Sequence, residues 1–297
     1  MALRPEEVSN IEDVIRGFEA CGYVLDRSLA TAVFLLVKLG KPLLIEGHAG
    51  VGKTEVAKTL AAYMSTDLIR LQCYEGLDSS SALYEWNYQK QLLAIKLQER
   101  ADQTVEEKVR HIFGPEFLLE RPLLRSIRAD KAPVLLIDEV DRSDEAFEAF
   151  LLELLSDFQI SIPELGTIRA RRRPYVVLTS NGTRDLSDAL RRRCLFHWID
   201  YPDPEKEMKI VATRAPGAAP GLGTQVVEFV QAVRRMNLAK PPGVAETLDC
   251  VQALASLGKD RLDADTAVET LGCLAKSAED SDKIRAEGIE RILARQG

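Results

Sequence analysis

The chain has 297 residues, 46% hydrophobic and 29% charged, which is enough apolar material for a proper core and enough charge for a soluble protein. Its net charge of −7 gives no global attraction to nucleic acid or to an anionic membrane. Five separated cysteines without a Cys-x-x-Cys pair, and three histidines that do not cluster with them, argue against a disulfide framework or a zinc site and fit a reducing cytoplasm.

Met1–Glu7 is charged and lacks the apolar stretch of a signal peptide. The longest apolar run, around Ala30–Val37, reaches about half a bilayer span and is closed by Lys38. A cytoplasmic chain without a membrane span is therefore expected. Leu43–Ile45 reads as a first buried strand, and Gly47-His48-Ala49-Gly50-Val51-Gly52-Lys53-Thr54 follows it and opens a helix over Thr54–Met64. Leu68–Leu71, Val134–Ile137 and Tyr175–Leu178 are further buried strands, and Leu195–Ile199 is a fifth. Helical patterns separate them, among them an amphipathic helix over Glu145–Leu155, and this alternation predicts a wound α/β domain. Tyr201-Pro202-Asp203-Pro204 then breaks the pattern, and only helical periodicity follows. The expected organisation is an α/β core over 1–202 and a helical domain over 203–297.

Gly47–Thr54 fits G-x-x-x-x-G-K-[ST] at every defined position and lies between a strand and a helix. Glycines let successive backbone N–H groups wrap phosphate oxygens, and the helix N-terminus adds positive potential. Lys53 is placed to reach the β- and γ-phosphates of ATP, and the Thr54 hydroxyl to ligate Mg²⁺. His48 occupies a variable position and is expected to contribute its backbone. Val134–Ile137 delivers Asp138 and Glu139 at the C-terminal end of a strand, the edge where such sheets bind ligands. There Asp138 would hold Mg²⁺, directly or through water, and Glu139 would orient the attacking water. Asn181 ends the next strand and suits a γ-phosphate sensor, with a helix cap as the alternative. Arg191-Arg192-Arg193 follows and offers fixed positive charge for a transition state, with a solvated turn as the alternative.

With these elements in order the chain resembles the AAA+ ATPases, and more closely the MoxR family. Arg70–Asp78, Asp138–Arg142 and Ser161–Gly166 are similar to its CoxD-type branch. The resemblance implies a five-stranded parallel sheet of order 5-1-4-3-2, a small all-helical lid, and a ring, usually of six identical subunits. It implies an arginine finger that enters the neighbour's site, here Arg193 or Arg192. It also implies an insertion at about 80–114, which would absorb the long stretch between Lys53 and Asp138, and a hairpin at about 158–169 before the sensor strand. One departure stands out: where relatives carry a lid sensor arginine, this chain reads Pro241-Pro242-Gly243-Val244-Ala245-Glu246. Arg234 and Arg235 are possible substitutes, or part of a solvated helix face. Tyr74, Tyr84, Trp86 and Tyr88 either grip a client or pack the insertion. The run Arg169-Ala170-Arg171-Arg172-Arg173 reads as an exposed loop or as a contact for an acidic partner.

The activity implied is that of an ATP-driven remodelling chaperone that works beside a von Willebrand factor A-type adaptor. Its client would be a metal-cofactor enzyme, a molybdenum hydroxylase of the carbon monoxide dehydrogenase type. A DNA-acting AAA+ motor is the alternative, and the acidic balance and lack of a DNA-binding module speak against it. A small-molecule P-loop kinase is a further alternative, against which the acidic pair and Asn181 favour water as nucleophile.

Overall fold

The structure, a computed structural model, describes residues 8–98 and 104–294. Met1–Glu7 and residues 99–103, the latter inside the expected insertion, lie outside the described residues.

Helices α1 (Ile11–Ala20) and α2 (Arg27–Leu39) lead into β1 (Leu43–Gly47), and the phosphate-loop motif then opens α3 (Lys53–Tyr63). After β2 (Leu68–Gln72) come α4 (Ser79–Ala82), β3 (Tyr84–Trp86), α5 (Tyr88–Gln98), α6 (Val105–Ile112), β4 (Leu118–Glu120) and α7 (Pro122–Arg128). The chain continues through β5 (Val134–Asp138), α8 (Glu145–Asp157), the pair β6 (Gln159–Ile162) and β7 (Gly166–Arg169), β8 (Tyr175–Ser180), α9 (Asp188–Arg191) and β9 (Leu195–Ile199). Six helices follow: α10 (Pro204–Arg214), α11 (Leu222–Arg234), α12 (Val244–Ser256), α13 (Ala264–Leu274), α14 (Ala278–Glu287) and α15 (Ile289–Ala294).

The main sheet has the order β2-β5-β8-β1-β9, which is 5-1-4-3-2 counted among its five strands, as the resemblance implied. The pairs β1–β8, β8–β5 and β5–β2 are parallel. Every residue of β1, β5 and β8 is buried, as a strand covered on both faces requires, and this is why their sequences are unbroken apolar runs. β2 lies at an edge and alternates, with Ile69 and Leu71 buried and Arg70 exposed. Elsewhere β3 pairs antiparallel with β4, and β6 with β7 across the turn at Pro163–Leu165.

Two compact units interleave along the chain. The first holds Ser28–Glu46 and Leu60–His197 with the described end of Met1–Ile11, and α7 and α8 bury Leu123, Leu124, Ile127, Leu151 and Leu154 in its core. The second holds Glu12–Arg27, Gly47–Thr59 and the chain from Trp198 onward. Its core is the apolar stripe of α11 (Val226, Val230, Val233) against Val251, Leu254 and Leu271, each worth about 1.5–3 kcal/mol when fully buried. The Pro-rich breaker after Tyr201 starts α10: the Asp203 carboxylate accepts from Lys206 N–H at 2.8 Å, and Pro204 occupies the first turn. All five cysteines are free, with Cys73 and Cys250 buried and Cys21 exposed. No helix among the described residues is long and apolar enough to cross a membrane.

Candidate functional site

The phosphate loop lies in the second unit. Gly50 and Gly52 sit at φ +75° and +91°, conformations that side chains of L-residues strain to adopt. Gly47 is constrained differently, since a Cβ there would meet the Ile199 carbonyl oxygen at 2.1 Å. Lys53, the first residue of α3, is buried, and its ammonium donates to the carbonyls of Gly47 at 2.8 Å and His48 at 2.6 Å. A buried ammonium held on backbone carbonyls beside glycine-permitted turns, at the start of a helix, fits an anionic phosphate. Thr54 is half-buried in the same first turn. His48, expected to act through its backbone, also packs its ring: it stacks on Tyr201 with centroids 4.5 Å apart and meets Trp198 edge-on at 5.6 Å.

The segment without the expected arginine meets this loop directly. The Ala245 N–H donates to the Gly50 carbonyl at 3.2 Å. A Cβ on Gly243 would lie 2.8–2.9 Å from Ala49 and Gly50 backbone atoms, so α12 starts backbone-on-backbone against the loop. Glu246 caps that helix by accepting from Gly243 N–H at 2.9 Å. Of the two candidate substitutes, Arg235 is exposed as the solvated-face reading expects, and Arg234 is not. Arg234 pairs with Glu207 through two 2.6 Å hydrogen bonds, side chains 6% and 0% exposed, and lies 5.0 Å from the Tyr201 ring centroid. Its Nε donates to the Pro242 carbonyl at 2.6 Å, so it fixes the lead-in to α12. The reason sequence misplaced it is that its acidic partner lies 27 residues earlier, on α10.

The acidic pair lies in the first unit. Asp138 ends β5 and is only 2% exposed. Arg70 donates to its Oδ2 at 2.6 and 3.0 Å, and the Thr179 hydroxyl to its Oδ1 at 2.6 Å. Glu139 follows in the left-handed region at φ 55°, a conformation costing on the order of 1 kcal/mol for a non-glycine residue. It is held there by its N–H donating to Thr179 Oγ1 at 2.9 Å, and its carboxylate accepts from Gln72 at 3.1 Å and Arg142 at 3.2 Å. Ile137 is level with Leu178, and Glu46 with Ser180, so the ends of β5, β8 and β1 share one edge of the sheet. Arg70 and Gln72 stand out in sequence only within the CoxD-like stretch and not as partners of the acidic pair, although polar residues alternating on an otherwise apolar strand mark one face of it.

Asn181 leaves β8 with its backbone N–H donating to Asp141 at 3.2 Å, and its side-chain amide makes no hydrogen bond among the described residues. Asp141 also accepts from the N–H and hydroxyl of Thr183, at 2.9 and 2.7 Å. Burial pushes the Asp141 carboxyl up most, but these hydrogen bonds together outweigh it and hold it below the ordinary value. The arginine triplet divides into three fates. Arg191 is bound at 2.9 Å to Glu46, itself 6% exposed, and Arg193 donates to Ser156 Oγ at 2.5 Å and the Ala189 carbonyl at 2.9 Å. Arg192 is exposed and has no side-chain partner among the described residues. In the basic run, Arg171 is tied to Asp130 at 2.6 Å and Arg173 covers the Phe158 ring at 5.4 Å.

Among the described residues no three His, Cys, Asp or Glu cluster to form a metal site. A single buried carboxylate at a strand end fits Mg²⁺, which keeps waters and nucleotide oxygens as most of its ligands. The chain is 25% identical over 239 residues to the uncharacterized protein SH1500 of Staphylococcus haemolyticus, covering 78% of this chain and 82% of that one. It is 24% identical over 217 residues to the denitrification regulatory protein NirQ of Stutzerimonas stutzeri, covering 70% and 69%. Among solved structures, a mutant of Thermotoga maritima RuvB is 17% identical with a TM-score of 0.49, over 84% of this chain and 70% of that one. The family described as AAA domain (dynein-related subfamily) matches residues 42–194, from one residue before β1 to one residue past the arginine triplet. That stretch holds the phosphate loop, the acidic pair, Asn181 and four of the five strands of the main sheet, and the chain belongs to the AAA domain family, dynein-related subfamily, and is an ATP-binding P-loop ATPase of the AAA+ class.

Proposed function

We propose that the chain hydrolyses ATP with Mg²⁺ and uses the cycle to remodel a protein client as one subunit of a ring. In this reading Lys53 exchanges the carbonyls of Gly47 and His48 for the β- and γ-phosphates, while the backbone of Gly47–Thr54 wraps them. Asp138 and the Thr54 hydroxyl would hold Mg²⁺, whose charge offsets that of the phosphates. Glu139 orients the lytic water, Asn181 contacts the γ-phosphate, and Arg192 or Arg193 enters the site of the neighbouring subunit. The observation that carries the hydrolytic reading is the pinned left-handed Glu139 directly after the buried Asp138, which presents two carboxylates at the ligand-binding edge of a parallel sheet.

The finer assignment is a MoxR-type ATPase of the CoxD-like branch, in a ring of six, acting in the cytoplasm with a von Willebrand factor A-type adaptor. Its client would be a metal-cofactor enzyme, a molybdenum hydroxylase of the carbon monoxide dehydrogenase type. Similarity to NirQ, a denitrification regulatory protein by name, supports the MoxR-type part of this assignment.

Glu139→Gln tests the chemistry. It should retain ATP binding within about twofold while kcat falls by at least about 100-fold, the usual worth of a positioned base. Wild-type turnover in that variant would remove Glu139 from the mechanism. The same variant, loaded with ATP and used as bait, should retain the adaptor and the metalloenzyme, and recovery of DNA instead would favour a nucleic-acid motor.

A further inference from the structure

The lid segment Pro241–Glu246 touches the phosphate loop with no cation to offer it. Contact is made by two glycines, Gly50 and Gly243, that leave no space for a side chain at either position. The side chain that does reach the loop is acidic: Glu246 Oε2 lies 2.8 Å from where a Gly50 Cβ would stand. That carboxylate accepts from Gly243 N–H and makes no ion pair among the described residues. Arg234 cannot neutralise it while bound to the fully buried Glu207.

Resting on the reading that ATP phosphates bind Gly47–Thr54, we propose that Glu246 is a positioning residue that senses nucleotide charge by repulsion. A phosphate held by the backbone of Gly50–Lys53 would lie in the field of the carboxylate that reaches Gly50, and like charges brought near one another disfavour each other. Without nucleotide, the Glu246 cap and the Ala245–Gly50 hydrogen bond hold the start of α12 on the loop. A triphosphate strains that hold more than a diphosphate does, so loss of the γ-phosphate lets the lid segment settle back. An attractive lid arginine would give the opposite order, gripping most tightly before hydrolysis. The charge sign at position 246 therefore sets the direction in which the lid responds.

The test is calorimetric titration of the full-length chain with ATP and with ADP, using wild type, Glu246→Gln and Glu246→Asp. Gln keeps an oxygen for Gly243 N–H and loses the charge, so its ATP Kd should fall at least about fivefold and its ADP Kd less. That gain should shrink as salt rises from 0.05 to about 0.5 M, where the screening length drops severalfold. Asp keeps the charge on a shorter side chain that gives up the cap, and its ATP Kd should not fall below the wild-type value by more than twofold. Equal ATP affinity in wild type and Glu246→Gln would overturn the proposal, as would a gain in Glu246→Asp equal to that in Gln. A wild-type chain that bound no ATP would sink the underlying ATPase reading instead, which separates the two failures.

Discussion

Replacing Arg234 with alanine should destabilise the second unit severely, and the size of the effect follows from what the guanidinium leaves behind. Glu207 is completely buried and accepts two hydrogen bonds from Arg234, one from Gln231 at 2.8 Å and one from Thr247 at 2.6 Å. Removing the arginine strands a buried carboxylate with two neutral donors, a change worth about 3–5 kcal/mol. The Pro242 carbonyl loses a 2.6 Å partner and the Tyr201 ring its cation, effects included in that range because they are not additive. At roughly 2–4 °C per kcal/mol, the thermal transition should drop by about 10 °C. Scanning calorimetry of wild type, Arg234→Ala and the double variant Arg234→Met/Glu207→Leu reads this out. In the double variant both charges leave together, and stability should return to within about 1.5 kcal/mol of wild type. Arg234→Lys should recover little, because a single ammonium cannot bridge both Glu207 oxygens and the Pro242 carbonyl. A loss below 1 kcal/mol in Arg234→Ala, or a double variant as unstable as the single, would refute the reasoning.

Asp141 supplies a pH-dependent term. Its carboxyl is held below the ordinary 3.8, so its stabilisation is fully present above the unfolded-state pKa and is lost as pH falls below about 4 through the lowered folded value. Asp141→Asn should cost about 1.5–3 kcal/mol at neutral pH, flatten the acid limb of the stability curve and slow ATP turnover through Asn181; an unchanged acid limb would rule the term out. For the arginines, Arg192→Ala should abolish turnover while Arg193→Ala loosens the Ser156 contact and keeps a measurable rate. Mixing Arg192→Ala with Lys53→Ala chains should then restore activity in mixed rings, and no recovery in assemblies that still form would argue against a shared site.

The inner strands of the main sheet were legible because strands buried on both faces are continuous apolar runs, and Val134–Ile137 and Tyr175–Leu178 are short runs of that kind, rich in β-branched residues or bounded by a proline. The phosphate loop was legible because its glycines obey a local rule. β3 and β4 were not, since three-residue strands carry no period and pair only because the chain returns from Trp86 to Leu118. The partners of the acidic pair were hidden for a related reason. Arg70 sits 68 residues from Asp138 and Gln72 sits 67 from Glu139, and nothing local to either says which strands will be neighbours. Once the order β2-β5 is fixed, a polar residue two steps before a strand end is well placed to reach an acid at the end of the next strand.

The start of α12 shows a harder limit. Gly50 follows from the loop motif, but Gly243 reads in sequence as an ordinary turn after two prolines. Its role is set by an absent atom: the two backbones approach so closely that a methyl group at 243 would stand 2.8 Å from Gly50 C. A missing arginine read in sequence as a missing connection between lid and phosphate. The contact is instead made by peptide groups, and Arg234 works behind it by fixing the Pro242 carbonyl one residue before Gly243. Rigid backbone contact transmits displacement without needing a charge, and this frees position 246 to carry a charge of the opposite sign. On the proposed repulsion, the response of the α12 start should follow the number of phosphates bound more closely than the identity of the base.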